Sequence, residues 1–349
     1  MSIRLVSVLC FVLTLPLSIA AQQLPPDYGH SFITIGDVRN IGLDWRGVFP
    51  SEAEGRGSVG YEYRIGRTEI KTSQWVEFVN AAETAGGSAV PPQLVPLSWG
   101  ARSNASTGLF EVIPGRANLP VIGTTWYTAA QYCNWLHNDK RTDIDAFQSG
   151  AYDVSTFNAD NPFEDQRSRS PGARYWIPSW DEWLKAVHYD PDKNGTGEGG
   201  WWAFPNSSDT QPVPGLPGAG ETSAGYDPPG VFEEFQVPLE AYPDTQSPWG
   251  LLDASGAGTE WTEEFRATGP LPRDATRVFD GQPAGPLIDF SPPFNANADR
   301  VWEFGAAEPD RLFLDTSFRV ASVVPSPATG SVAAVVLISV AYRPRRRTQ

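Results

Sequence analysis

Cysteine is almost absent from this chain of 349 residues, which contains only Cys10 and Cys133. Histidine occurs three times, at His30, His137 and His188, and no two of them are spaced to share one face of a helix turn. This scarcity excludes a disulfide-stapled scaffold and the His-Glu-x-x-His site of metalloproteases. Neither a Gly-x-Ser-x-Gly nucleophile elbow nor a phosphate-binding loop occurs in the sequence.

Basic charge is also scarce, with 26 Lys and Arg against 41 Asp and Glu and a formal net charge of −15. Binding to nucleic acid depends on neutralising phosphates, so this composition excludes nucleic acid as a partner. Hydrophobic residues make up 40% of the chain, and its thirteen Trp and eighteen Phe favour a buried core over disorder. The sequence predicts a globular protein rich in loops.

The N-terminal residues 1–21 have the pattern of a secretory signal peptide. Arg4 precedes an apolar run over residues 5–20, which ends in the small residues Ala20 and Ala21. Cleavage there removes Cys10 and leaves Cys133 as the single thiol, so no internal disulfide is expected. A buried N-terminal helix is the alternative interpretation of the same residues.

The C-terminal residues 323–349 combine Pro325-Ser326-Pro327, an apolar run over 331–342 and the arginine-rich sequence 343–347. Twelve apolar residues are fewer than the ~20 that an ordinary membrane span needs, which predicts transient membrane association. The arrangement resembles the PEP-CTERM sorting tag, with Pro-Ser-Pro in place of Pro-Glu-Pro. The resemblance implies an exosortase-like partner and sorting to the cell envelope, outer surface or extracellular matrix. A retained tail anchor is the alternative.

Three helices are predicted from apolar periodicity and capping residues. They cover about residues 73–83 with Thr72 as N-cap, 126–138 with Thr125 as N-cap, and a segment that opens with the capping box Ser179–Glu182. Residues 61–65 and 313–320 alternate as strands do. No repeat and no linker divides the middle of the chain, so residues 30–322 are expected to form one domain.

Five segments, in this order, resemble the formylglycine-generating (sulfatase-modifying factor) family. They are YEYRIGRTEI with QWVEFVN (61–70, 74–80), PVIGTTW with AAQYCNWL (120–126, 129–136), RYWIPSWDEW (174–183), WGLLDASGAGTEWT (249–262) and SFR (317–319). The resemblance implies an α+β fold: a single loop-rich C-type-lectin-like domain with little regular secondary structure.

Known activities of this family are oxidative, and the resemblance raises the question of whether their ligands are present. Formylglycine-generating enzymes bind copper through two cysteines near the C-terminal end, but no cysteine lies between Arg277 and Val320. The family's Arg-Gly-Gly is replaced by Phe279-Asp280-Gly281, and Cys133 is predicted to be a buried structural thiol. We therefore expect no copper.

A second branch of the family, the nonheme-iron sulfoxide synthases, holds iron with several histidines. His137 and His188 are each predicted at the C-terminal end of a helix, where a histidine interacts with the helix dipole. His30 lies near the processed N-terminus. Because iron needs imidazoles and carboxylates that converge, we expect no iron.

A structural calcium site is the metal site that the sequence favours. Asp253 and Glu260 flank Gly256 and Gly258, so two carboxylates and two backbone carbonyls could surround a hard cation. In the family that the chain resembles, the corresponding positions hold calcium. The alternative is that Asp253 caps a turn and Glu260 is solvated. A second acidic segment, residues 190–196, begins like an EF-hand loop but has Trp201 at the twelfth position, which favours a polar turn.

The sequence favours a non-catalytic binding or structural module with a polysaccharide or protein ligand. Aromatic residues in the long loops 84–119 and 200–246 are candidates for stacking on such a ligand: Trp99, Trp201, Trp202, Phe204 and Tyr226. The alternative is an oxidoreductase of the formylglycine-generating or nonheme-iron type with a substituted active site. A purely structural matrix component is the third hypothesis.

Overall fold

Two four-stranded sheets and four helices organise the part of the chain that this computed structural model describes, which is residues 24–44, 51–86, 94–158, 164–267, 275–286 and 298–324. Residues 25–324 cluster into one compact unit. The predicted signal peptide and the apolar and basic parts of the tail lie outside the described residues. None of the described helices is long and apolar enough to cross a membrane.

The first sheet joins the two ends of the domain. It contains β1 (Phe32–Ile35), β2 (Tyr63–Gly66), β12 (Ala321–Val323) and β5 (Tyr175–Trp176) in that order, with every neighbouring pair antiparallel. Because β12 is an interior strand of this sheet, the described part of the chain ends next to its centre.

The second sheet has the order β10 (Gly305–Ala307), β9 (Ala275–Asp280), β8 (Thr259–Ala267) and β11 (Thr316–Ser317). β11 is parallel to β8, and the other pairs are antiparallel. Two small hairpins complete the strands: β3 (Ala101–Ser103) with β4 (Phe110–Val112), and β6 (Tyr189–Asp190) with β7 (Gly200–Trp201).

The helices are α1 (Thr72–Thr84), α2 (Trp126–His137), α3 (Asp145–Gln148) and α4 (Trp180–His188), with 3₁₀ turns at Val154–Thr156 and Glu233–Gln236. The three predicted helices are confirmed, and the caps of α2 and α4 are Thr125 and Ser179 as expected. The predicted cap of α1 was wrong. Thr72 is the first helical residue, because its hydroxyl donates to the carbonyl of Leu119 instead of capping the helix.

The apolar faces of α1 and α2 meet in an aromatic cluster. Tyr132 stacks on Trp75 with ring centroids 5.6 Å apart, and Phe78 and Phe318 contact the same tyrosine ring edge-on at 5.3 and 5.6 Å. All four side chains are fully buried. Aromatic burial of this kind stabilises a fold that has few long strands.

The predicted strands were only partly right. The strand expected at 61–65 is β2 at Tyr63–Gly66, whereas the segment 313–320 is not one strand. Thr316 and Ser317 pair with the second sheet, and the chain then crosses to the first sheet, where Val320 accepts a backbone hydrogen bond from Gly66. When neighbouring residues pair with two different sheets, the alternation of apolar and polar residues does not show where one strand ends and the next begins.

Candidate functional site

Of the four residues predicted to bind calcium, Asp253, Gly256 and Gly258 lie in the loop that leads into β8, and Glu260 is the second residue of β8. Asp253 has a left-handed backbone (φ +57°), and its Oδ2 accepts a hydrogen bond of 2.8 Å from the backbone N–H of Glu240. Gly256 is also left-handed (φ +91°), as a turn requires. Gly258 is needed for a different reason, since a Cβ there would lie 2.7 Å from the Cβ of Ser317.

Glu260, the fourth predicted ligand, forms a buried ion pair with Arg319. Both carboxylate oxygens accept from the guanidinium, and both side chains are almost completely inaccessible. Arg319 also donates to the backbone carbonyls of Gly66 (3.0 Å), Arg67 (3.2 Å) and Leu252 (3.4 Å). A bidentate carboxylate–guanidinium pair with every donor engaged is a strong structural unit.

Glu260 is not the only acidic group near Arg319, so the formal negative charge there exceeds the positive charge of the guanidinium. Glu69, fully buried, accepts from the backbone N–H of Gly258 at 3.0 Å through Oε1. Its Oε2 makes no ordinary hydrogen bond among the described residues, and the nearby Ser317 hydroxyl interacts with the carboxyl and lowers its pKa. Burial and the charge of Glu260 raise the pKa of Glu69. Burial raises the pKa of Asp253 to about 6. Three carboxyl groups therefore face one guanidinium, an arrangement that favours either bound protons or a bound cation.

The side chains available as metal ligands limit how such a cation could be bound. Among the described residues, no three His, Cys, Asp or Glu side chains converge where they could hold one metal ion. A cation beside Asp253 and Glu260 would therefore need backbone carbonyl oxygens as well, as a hard ion such as calcium accepts.

The thiol and the histidines lie apart from this loop. Cys133 is fully buried in α2, and burial raises its pKa, as expected for a structural thiol. His30 is also buried, and its two ring nitrogens contact Tyr132 Oη (3.1 Å) and Gln74 Nε2 (3.2 Å). Desolvation lowers the pKa of His30 to about 3, so the ring is neutral.

The other two histidines end α2 and α4. His137 Nδ1 accepts from the backbone N–H of Arg174 at 3.1 Å, and desolvation lowers its pKa. His188 is buried beside Trp183, with a centroid distance of 5.8 Å, and desolvation lowers its pKa to about 3. Both are thus favoured in their neutral forms, which weakens the interaction with the helix dipole that the sequence suggested.

A pair of buried carboxyl groups lies where β9 ends, and sequence reasoning missed it. Asp280 accepts from Trp180 Nε1 (2.6 Å), and Asp299 accepts from Ser255 Oγ (2.6 Å) and from the backbone N–H of Gln282 (3.0 Å). Burial raises the pKa of Asp280, and that of Asp299 to about 7. Asp280 takes the place of the first glycine in the Arg-Gly-Gly of the resembled family, and that departure was the only signal in the sequence.

An open cavity of about 410 Å³ lies at the end of the first sheet where β12 leaves it. Arg169 lines it, donating to the hydroxyl of Tyr61 (2.8 Å) and to Glu182 Oε1 (3.0 Å), and its guanidinium lies 4.2 Å from the ring of Trp176. The tyrosine side is accessible, with 46% of Tyr61 exposed. The remaining lining residues are Glu62, Ser170, Pro171, Gly172, Ala173, Val323 and Val324.

The loop aromatics named as candidates for stacking on a ligand are mostly covered, as most aromatic side chains are. Phe204 is in the core, and Trp99, Trp201, Trp202 and Tyr226 are each half-buried. They are covered because they pack on neighbouring loops, as Trp99 does on Phe110 with centroids 5.2 Å apart. Among the described residues, the most exposed aromatic side chain is Tyr61.

The EF-hand-like segment is a polar turn, as the sequence favoured. Asp190 Oδ1 accepts from the backbone N–H of Asp192 at 2.9 Å, and Asp192 Oδ1 accepts from that of Gly197 at 2.7 Å. Both carboxylates therefore cap the hairpin between β6 and β7.

Comparison with known proteins agrees with this architecture. The profile of the "Sulfatase-modifying factor enzyme 1-like domain" family matches residues 44–321. No curated protein matches the sequence. A solved structure titled "Crystal Structure of CarF" is similar, with a TM-score of 0.52, 14% identity, and coverage of 85% of this chain and 99% of that one.

Two further solved structures align less well. Treponema denticola variable protein 1 aligns over 83% of this chain and 94% of its own, with 18% identity and a TM-score of 0.49. PvdO from Pseudomonas aeruginosa aligns over 84% and 92%, with 13% identity and a TM-score of 0.41. The family profile matches most of the chain, and the structure has the mixed helix-and-strand fold that goes with it. The chain therefore belongs to the sulfatase-modifying factor enzyme 1-like family.

Proposed function

We propose that this family member is an exported, non-catalytic binding or structural module. The state of Cys133 carries the proposal: it is the one thiol that remains after loss of the leader, and it is fully buried with a raised pKa. Copper-dependent oxidation of a thiol needs accessible, low-pKa thiolates, and one inert thiol cannot supply a pair.

Elemental analysis combined with an oxygen electrode tests this proposal. The purified chain without its leader is incubated with copper, iron and calcium salts, dialysed, and then mixed with a cysteine-containing peptide. We expect far less than one equivalent of copper or iron and no peptide-dependent oxygen uptake. Near-stoichiometric copper or iron with turnover, both lost in Cys133→Ser or His188→Ala, would establish the oxidoreductase alternative.

We also propose calcium as a structural ion beside Asp253, Gly256, Gly258 and Glu260. The excess of carboxyl groups around Arg319 supports a cation there, as does the Oε2 of Glu69, which makes no ordinary hydrogen bond among the described residues. An ion that binds only the folded chain adds about 2.7 kcal/mol of stability at a concentration of 100 Kd. Thermal unfolding in calcium, magnesium and EDTA measures this effect.

Two variants make the calcium test specific. In Asp253→Ala the difference between calcium and EDTA should vanish, whereas it should persist in Asp227→Ala, which removes an exposed carboxylate. Equal unfolding temperatures of the unmodified chain in calcium and in EDTA would rule the ion out.

For the binding role, we propose the cavity at Tyr61 and Arg169 as the ligand surface. An accessible ring beside hydrogen-bonding groups suits a saccharide or a peptide. Glycan arrays and pull-downs with matrix polysaccharide test it, with Tyr61→Ala as the variant and Tyr226→Ala as the control. Retention that is weakened tenfold by Tyr61→Ala alone supports this surface, and no retention of any ligand contradicts the binding role.

For the C-terminal segment, we propose processing by an exosortase-like enzyme and sorting to the envelope, surface or matrix. β12 extends to Val323 inside the first sheet, so a truncation that leaves the domain intact must begin at Pro325. Cell fractionation of the full chain and of the chain ending at Val324 tests sorting. An unchanged location after truncation would contradict it.

A further inference from the structure

The hairpin between β6 and β7 contains the sequence Asp192-Lys193-Asn194-Gly195-Thr196. Asn-x-Thr with x other than proline is the acceptor motif for N-linked glycans in exported proteins. The polar-turn role of Asp192 leaves this asparagine and threonine unexplained, and the function proposed above does not use them.

The structure presents this motif on the surface. Asn194, Gly195 and Thr196 are all exposed. Gly195 has φ +133°, so the chain turns sharply directly after the asparagine. The Asn194 amide makes one exposed hydrogen bond, from Nδ2 to the backbone carbonyl of Gly199 at 3.1 Å, which water can replace at little cost.

Two other Asn-x-Ser motifs in the chain serve as internal comparisons. Asn104 is half-buried, with Oδ1 accepting from the backbone N–H of Ser106 (3.0 Å) and Nδ2 donating to Glu111 Oε2 (3.1 Å). Asn206 is half-buried as well, and its Nδ2 donates to the carbonyl of Thr210 at 3.3 Å. Asn194 is therefore the most accessible of the three acceptor amides.

We propose that Asn194 is a site of N-linked glycosylation, an inference that rests on the proposed export. The donor is an oligosaccharide linked through pyrophosphate to a polyprenyl lipid. The amide nitrogen Nδ2 forms a bond to the anomeric carbon, the bond from that carbon to the pyrophosphate oxygen breaks, and the lipid pyrophosphate leaves with the electron pair. The amide gives up one proton to a base of the transferase, and no redox step is needed.

The full chain with its leader is produced in a bacterium that carries an oligosaccharyltransferase and its lipid-linked glycan, and the purified protein is analysed by intact and peptide mass spectrometry. We expect one glycan on the peptide that contains Asn194. Occupancy should fall at least tenfold in Asn194→Gln and Thr196→Ala. It should persist in Thr196→Ser, Asn104→Gln and Asn206→Gln.

Whether the leader is cleaved distinguishes a failure of the export proposal from a failure of the glycosylation proposal. A processed chain with an unmodified Asn194, or with glycan only on Asn104 or Asn206, overturns the glycosylation site while leaving export intact. A chain that keeps its leader contradicts export, and the purified folded protein is then treated with the solubilised transferase and the lipid-linked glycan. Transfer to Asn194 in that reaction supports the site, and no transfer overturns it.

Discussion

Replacing Arg319 by methionine should destabilise the domain more than any surface charge change. The substitution leaves Glu260 buried without its partner and removes the donors to the carbonyls of Gly66, Arg67 and Leu252. Removing one member of a buried ion pair costs about 3–5 kcal/mol, a large part of the ~5–15 kcal/mol that stabilises a typical domain. Methionine keeps the apolar part of the side chain but lacks the guanidinium, so the space left by that group adds to the cost.

Urea unfolding followed by tryptophan fluorescence measures this cost. With an m-value of about 3 kcal/mol per molar, a loss of about 4 kcal/mol lowers the midpoint by more than ~1 M. Arg141→Met is the matched control, because its pair with Asp143 is about half exposed on both sides (55% and 51%), and surface pairs contribute about 0.2–1 kcal/mol.

Two further measurements separate electrostatics from packing. The double variant Arg319→Met/Glu260→Leu should be more stable than Arg319→Met alone, since no unpaired charge remains at position 260. The cost of Arg319→Met should also grow with pH, because burial raises the pKa of Glu69 and of Asp253 while Arg319 counteracts that rise, so without the guanidinium these buried carboxyls destabilise the fold more as they ionise. A cost below ~1 kcal/mol at pH 8, or one that is independent of pH, would refute this reasoning.

The pKa of Asp253, raised by burial to about 6, predicts that the calcium-free domain loses stability as the pH rises from about 4 to 6. Asparagine suits the left-handed backbone at this position and can still accept the hydrogen bond from Glu240. In Asp253→Asn, the free energy of unfolding measured with EDTA should therefore change less between pH 4 and 6. An unchanged pH dependence would show that Asp253 is not the group that titrates. Ser179→Ala should cost about 1 kcal/mol by removing the cap bond to the backbone of Glu182, while Ser179→Asp should restore most of it; equal stability of all three chains would show that the cap contributes nothing.

The helices could be predicted because their signals are local. Thr125 and Ser179 each lie directly before an apolar periodic run, and both cap the helix that follows. The strands could not be placed with the same accuracy, since β5, β6, β7 and β11 have two residues each and are defined by pairing with distant segments. Such pairing leaves no periodic pattern in the strand itself.

The candidate metal loop was predicted in position but not in its electrostatic setting. Spacing predicted that Asp253 and Glu260 belong to one loop; in the structure Asp253 precedes β8 and Glu260 is the second residue of that strand. The guanidinium that pairs with Glu260 comes from Arg319, 59 residues along the chain, and Glu69 approaches from the other direction. Neither contact has a local signal, so whether the loop carries excess negative charge could be judged only from the structure.

Arg277 is buried in the same way as Arg319, and the pair suggests how a loop-rich domain keeps its shape without a disulfide. Arg277 forms an ion pair with Asp165, lies 3.8 Å from the ring of Trp126, and donates to the backbone carbonyls of residues 166, 167 and 263. Arg319 likewise donates to three backbone carbonyls, those of Arg67 and Leu252 in loops and that of Gly66 at the end of β2.

Buried carbonyls need hydrogen-bond donors, and strands of two or three residues supply few of them. A guanidinium has five N–H donors in a fixed plane, so one arginine can satisfy several carbonyls from separate loops at once. Each buried arginine thus links two loop carbonyls to a strand: Arg319 also donates to residue 66 at the end of β2, and Arg277 to residue 263 in β8.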